Sequence, residues 1–211
     1  MKSKIRLTRE QSREQTRQRL LDATRALFAA QGFAATSVEQ IALDAGYTRG
    51  AFYSNFQDKA DIFLALLRRE HERIMSELQA LLEDPPAADQ TNLPPRDLLE
   101  SRLLTYYVRL HQDAQLQALV LEARLHATRD AAFAPHFRRF QEDLLDAVGR
   151  YAQVFAQRAE LAWTLAPEDL AFGFMALCDG CALHRLAGAQ PDDAHVERVL
   201  RAFMKRMAFE P

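Results

Sequence analysis

Arg49, Tyr53, Ser54, Asn55 and Lys59 bring a guanidinium, a phenol, a hydroxyl, a carboxamide and an ammonium together within about three helical turns. Such groups suit the edges and backbone of a DNA duplex. Arg49 can donate paired hydrogen bonds to guanine or grip a phosphate, and Asn55 can pair with adenine or bond locally. Gly50 and Ala51 leave room for close approach, with the Ala51 methyl able to meet thymine, while Tyr53 and Lys59 suit phosphate oxygens. An ordinary polar face over a small helical core would account for Ile41, Phe52 and Phe56. It does not account for a cation, two small residues and a tyrosine sharing one outward face.

The elements that must position these groups run from Thr36 to Lys59. Ser37 can cap a first short helix, in which Val38, Ile41, Ala42 and Ala45 fall at helical spacing on one buried face. Gly46 supplies the backbone freedom of a sharp turn. Thr48 then caps a second helix, with Phe52 and Phe56 directed inward and Arg49, Gly50, Ala51, Tyr53, Ser54 and Asn55 outward. The pattern is a helix-turn-helix with an exposed second helix.

The run from Thr48 to Phe56, TRGAFYSNF, followed by Asp58-Lys59 and preceded by Thr36, Ile41-Ala42 and Gly46, resembles the DNA-binding domain of the tetracycline-repressor (TetR) family. The likeness rests on many residues in order at fixed spacing and covers about the first third of the chain. It implies that Thr36, Thr48, Arg49, Gly50 and Ala51 lie at the DNA, that Tyr53 and Lys59 hold phosphates, and that Ser54 and Asn55 vary with the sequence read. Two positions depart from the family's pattern. Tyr47 stands where a small aliphatic residue is usual, and Gln57 where a basic one is common.

Charge follows the same division. Residues 1–59 hold 10 Lys and Arg against 6 Asp and Glu, whereas residues 60–211 hold 17 against 23. The positive end coincides with the helix-turn-helix, as a phosphate-facing surface requires. Residues 1–11, with Lys2, Lys4, Arg6 and Arg9, read as a mobile basic arm that could add phosphate or minor-groove contacts. No apolar run approaches the roughly 20 residues that span a bilayer, and the start lacks the apolar segment of a secretion signal. A cytoplasmic protein is expected. Its two cysteines do not describe a disulfide framework.

The rest of the chain reads as helix, so the expected fold class is all-α. From Ser12, Leu20, Leu21, Thr24, Leu27 and Phe28 recur at helical spacing until Gly32, and complete the core of a DNA-binding domain over residues 12–57. Asp58 can cap a connecting helix over 58–83, whose apolar face runs from Ile62 to Leu82. Four prolines in DPPAADQTNLPP mark a loop over 84–95. Helices are expected at 96–112, 114–128, 135–161, 167–187 and 193–207, forming an effector-binding and dimerisation domain over 84–211.

Aromatic and polar residues mix in that domain. Tyr106, Tyr107, His111, Arg124, Phe137, Phe140 and Trp163 are candidates to line a pocket for a small, mainly apolar molecule, although a bundle of this size needs an aromatic core regardless. In the last two helices, Leu170, Phe174, Leu177, Cys181, Val196, Val199, Leu200 and Phe203 lie among small residues that permit close helix approach. They could form an internal core or a symmetric four-helix contact. The family resemblance implies an effector pocket in this region and a homodimer through the last two helices. Cys178, Cys181 and His184 drift around one helix instead of converging, so they read better as buried side chains than as zinc ligands or a redox pair. No phosphate loop, metal-ligand pair or nucleophile elbow is present, and no catalytic residue, cofactor or metal is expected.

These readings combine into an expectation: a dimeric, ligand-responsive transcriptional regulator of the TetR type, most simply a repressor released from its operator by a small molecule. Two other classes remain open. One is a DNA-organising protein without a ligand. The other is a thiol or metal sensor built on Cys178 and Cys181.

Overall fold

The computed structural model describes residues 8–83, 95–158, 164–188 and 192–204. Among them the chain forms α1 (Arg9–Ala35), α2 (Val38–Asp44), α3 (Arg49–Tyr53), α4 (Lys59–Glu83), α5 (Pro95–Gln112), α6 (Ala114–Arg129), α7 (Phe133–Arg158), α8 (Pro167–Leu186) and α9 (Asp193–Phe203), with no strand. The expected all-α architecture is therefore observed.

Local chemistry sets the helix starts. Thr8 and Gln11 cap α1 reciprocally, as Ser37 and Gln40 cap α2, each side chain satisfying the other residue's backbone N–H. The first of these boxes draws Arg9, Glu10 and Gln11 into the helix, so those residues of the expected arm are helical. Residues 1–7 lie outside the described residues. Phe133, instead of Pro135, begins α7 because the Asp130 carboxylate accepts from the N–H groups of Phe133 at 3.0 Å and Ala132 at 2.9 Å. Those two bonds hold its carboxyl below the usual carboxylate range. The expected proline-rich loop over 84–94 also falls outside the described residues, as do the helix ends at 159–161 and 205–207 and the pocket candidate Trp163.

Two compact units result. The first contains the chain through Glu70 together with Ala118–Phe137. The second contains His71–Gln117 and the chain from Arg138 onward. They cut across the boundaries expected at 58 and 84, because segment 118–137 packs with Phe33 at the end of α1 and Phe63 of α4.

In the first unit Leu20, Leu21 and Phe28 of α1, Ile41 and Ala42 of α2, Phe52 of α3 and Ile62, Phe63 and Leu66 of α4 are buried in a mainly apolar core. Phe63 sits edge-on to Phe28, with ring centroids 4.9 Å apart, and stacks on Phe133 at 5.7 Å. That ring carries the later segment into the core. The buried carboxylate of Glu70 is met by Arg25 at 3.5 Å and Arg69 at 3.6 Å, so its charge is compensated inside the unit.

The second unit packs Leu78, Leu103, Leu104, Tyr106, Phe155, Phe174, Val196, Leu200 and Met204 into one cluster. Tyr107 and Phe174 approach edge-on at 4.4 Å, and Arg201 of α9 reaches the buried Glu100 of α5 at 3.2 Å. Among the described residues no helix is long and apolar enough to cross a membrane.

Candidate nucleic-acid interface and ligand cavity

The turn between α2 and α3 follows from glycine chemistry. Gly46 adopts φ 77°, where a side chain would be strained. Its N–H donates to Leu43 O at 2.9 Å and that of Tyr47 to Ala42 O at 2.8 Å, a Schellman closure that satisfies the last carbonyls of α2. Thr48 then caps α3, its Oγ1 accepting from Ala51 N–H at 3.4 Å.

With Phe52 and Phe56 buried, Thr48, Arg49, Gly50, Tyr53 and Ser54 are left exposed. Arg49 is held from two sides. Its Nη1 is 2.8 Å from Glu39 Oε1 on α2, and its Nη2 donates to Tyr53 Oη at 3.4 Å, with the guanidinium 5.4 Å from the Tyr53 ring centre. Those contacts raise the pKa of a guanidinium already fully charged at any working pH. Ser54 Oγ donates to Gly50 O at 2.9 Å.

Other expected DNA contacts are placed differently. Thr36 is buried, its Oγ1 donating to Gly32 O at 2.8 Å, because it closes the end of α1 after the break at Gly32. Lys59 donates to Phe33 O at 2.5 Å and Thr36 O at 2.7 Å and lies 4.2 Å over the Phe33 ring, so the ammonium caps α1. Partial burial lowers its pKa. Asn55 and Ala51 are half-buried, and the Asn55 carboxamide donates to Ala51 O at 2.8 Å, the local alternative to adenine pairing.

Arg13 and Arg17 are the supports of this surface that motif reading missed. Arg13 Nη2 donates to Ser54 O at 3.3 Å, while Arg17 Nη1 donates to Asn55 O at 3.4 Å with its guanidinium 4.5 Å from the Phe56 ring centre. Both cations therefore fix the end of α3. Their four-residue spacing on α1 was the available signal; its target lies about forty residues away.

Behind the interface, Phe33 N–H donates to Glu122 Oε1 at 2.9 Å, and the His126 ring lies tilted against those of Phe33, at 3.9 Å, and Phe133, at 4.6 Å. Burial, with the Lys59 charge assisting, lowers the His126 pKa, while Asp130 and Glu122 act in the opposite sense. A lowered folded-state pKa means that the unfolded chain binds the proton more readily. The stability due to neutral His126 is thus complete above the ordinary value of 6.5 and is lost as pH falls from there through the lowered folded value. The melting temperature should drop between about pH 7.5 and about pH 5.5, and drop less in His126→Gln. Equal drops in both proteins would remove His126 as the cause.

The second unit holds an apolar cavity of about 40 Å³, lined by Leu103, Tyr107, Val148, Tyr151, Ala152, Phe155, Leu170, Ala171, Phe174 and Met204. Among the described residues expected to line a pocket, only Tyr107 lines it. Tyr106 turns its hydroxyl to Ile74 O at 3.3 Å, His111 is buried elsewhere in the unit, and Phe140 packs edge-on to His71 at 5.9 Å. Arg124 and Phe137 belong to the first unit. Aromatic character alone could not separate core from lining.

Of the expected interface residues, Leu170, Phe174, Val196 and Leu200 are buried within the chain's own core, against which Leu177, Cys181 and Phe203 also pack. Val199 is half-buried. Beside the charged or polar Glu168, Asp169 and His184, α8 leaves exposed Phe172 at 65%, Ala176, Leu183 at 45% and Leu186. Gly180 lies among them, with no atom within 4 Å of where its Cβ would be.

A capped, outward second helix on a three-helix core defines a helix-turn-helix DNA-binding regulator. Residues 20–66 match the bacterial regulatory proteins of the tetR family. The match takes in the helix-turn-helix and the ends of the helices that flank it. The chain is 28% identical over 211 residues to the HTH-type transcriptional repressor BepR of Brucella suis, covering 96% of each chain. It is 48% identical to the HTH-type transcriptional regulator AcrR of Shigella flexneri over 54 residues, 26% of this chain and 25% of the relative. The chain thus matches only a quarter of that relative's length. The fold matches that of a complex of SmeT with triclosan, SmeT being the repressor of a Stenotrophomonas maltophilia multidrug efflux pump; the TM-score is 0.67, with 24% identity and 92% of each chain covered.

Proposed function

We propose that this chain is a homodimeric transcriptional repressor, working in the cytoplasm, that leaves its operator when a small, uncharged and mainly apolar effector binds the second unit. The observation that carries the reading is the α3 surface, where Thr48, Arg49, Gly50, Tyr53 and Ser54 are exposed on a helix whose other face is locked by Phe52 and Phe56. Such a helix reads one half-site, and a second copy supplies the affinity and register of a paired site. The cavity lining contains no charged side chain, only two tyrosines among apolar groups, which favours a neutral ligand with one or two polar atoms. No catalytic step is required. In the SmeT complex the bound molecule is triclosan, also small and largely apolar.

The reading is tested by recovering a duplex from a randomised pool with the purified protein, then titrating small neutral aromatics into a gel shift. Enrichment of a partly palindromic sequence, released by at least one compound that also raises the melting temperature, is the expected outcome. Binding of all duplexes alike would favour a DNA-organising protein. A thiol sensor has less support, because burial pushes the Cys178 and Cys181 thiols up, away from the reactive thiolate.

The exposed strip of α8 supports dimerisation. A glycine inside a solvent-facing helix costs about 1 kcal/mol relative to alanine, and a partner helix packed closely against it gives a reason for its presence. Gly180→Leu has room within one chain, so it should keep its helical circular dichroism while light scattering shows the dimer split into single subunits. A dimer of unchanged strength would move the interface off this strip.

A further inference from the structure

Glu39 is an acid on a surface otherwise suited to phosphates. It stands in the first turn of α2, exposed, and holds the exposed Arg49 at 2.8 Å while Tyr53 holds the same guanidinium from one turn along α3. In water such an exposed pair contributes little to stability, and although the first turn of α2 favours an acid, it does not call for the contact with Arg49. Beside a duplex its effect is larger. To meet a backbone phosphate, Arg49 must either leave Glu39 or bring that carboxylate close to the negative backbone, and both carry an electrostatic cost. At a suitable base pair both side chains can be used together, with the guanidinium on guanine O6 and N7 and the carboxylate accepting from a cytosine amino group.

We propose that Glu39 is a specificity-determining residue, a positioning carboxylate that keeps Arg49 off arbitrary phosphates and directs it to base edges. The inference rests on the DNA-binding reading above. Glu39 lowers affinity for non-cognate DNA more than for the cognate site, and so widens the ratio between them.

The test is fluorescence anisotropy of full-length protein on two probes, a duplex recovered from a randomised pool and a scrambled duplex of equal composition, across a series of salt concentrations. Glu39→Gln keeps the shape and removes the charge. On the scrambled duplex it should bind several-fold more tightly, by up to about tenfold, with a log–log salt slope steeper by about 1.8, for one added phosphate contact from each of the dimer's two subunits. On the recovered duplex the gain should be smaller, so the specificity ratio falls. Placing Glu39→Gln in an Arg49→Ala background separates positioning from plain repulsion. There the slope should no longer steepen. The same steepening without Arg49, or an unchanged ratio in the single variant, would overturn the proposal. Failure of the unaltered protein to enrich any sequence would instead overturn the operator-reading repressor, and this inference with it.

Discussion

Arg49→Ala should abolish retention of the recovered duplex in a gel shift while leaving the dimer and its helical content intact. Losing a paired donor to guanine costs about tenfold in discrimination per half-site, and a dimer loses it twice, so a fall of about a hundredfold is expected. The fold should hardly respond, because the side chain is exposed and its contacts with Glu39 and Tyr53 lie on the surface. Retention at unaltered strength would show that α3 meets DNA through other groups, with Thr48, Gly50 and Ser54 the remaining exposed candidates.

Phe63→Ala should have the largest effect on stability. Its ring is fully buried and touches Phe28, Phe33 and Phe133, so removal leaves a cavity at the point where three segments of the chain meet. A loss of about 3–5 kcal/mol is expected for a buried phenylalanine. Thermal unfolding followed by circular dichroism should show a midpoint lowered by about 10 °C, with hydrogen exchange accelerating first in α1 to α4. A midpoint unchanged to within a degree or two would mean that the surrounding rings collapse to fill the space.

The helix-turn-helix was legible in the sequence because its determinants are local. Gly46 closes one helix, Thr48 opens the next, and Phe52 with Phe56 sets the buried face, all within one short stretch. Contacts spanning long separations were not legible. Nothing in the pattern around Phe33 announces Glu122, and nothing around Ser54 announces Arg13. The same limit explains Lys59 and Thr36, whose types suit a phosphate but whose hydrogen bonds finish α1. In α8 and α9, spacing identified residues that are buried without revealing what buries them. Leu170, Phe174, Val196 and Leu200 are covered by their own chain, and only exposure distinguished Phe172 and Leu183.

The hollow beside Tyr107 has room for only a few water molecules, whereas a drug-sized guest needs several hundred cubic ångströms. If the proposed effector binds here, its arrival waits for the surrounding helices to move apart, and its apparent affinity is reduced by the share of time they spend closed. Such a device trades speed for selectivity. Uptake should show a lag that shortens steeply on warming, and bulky compounds should be refused by timing as much as by fit.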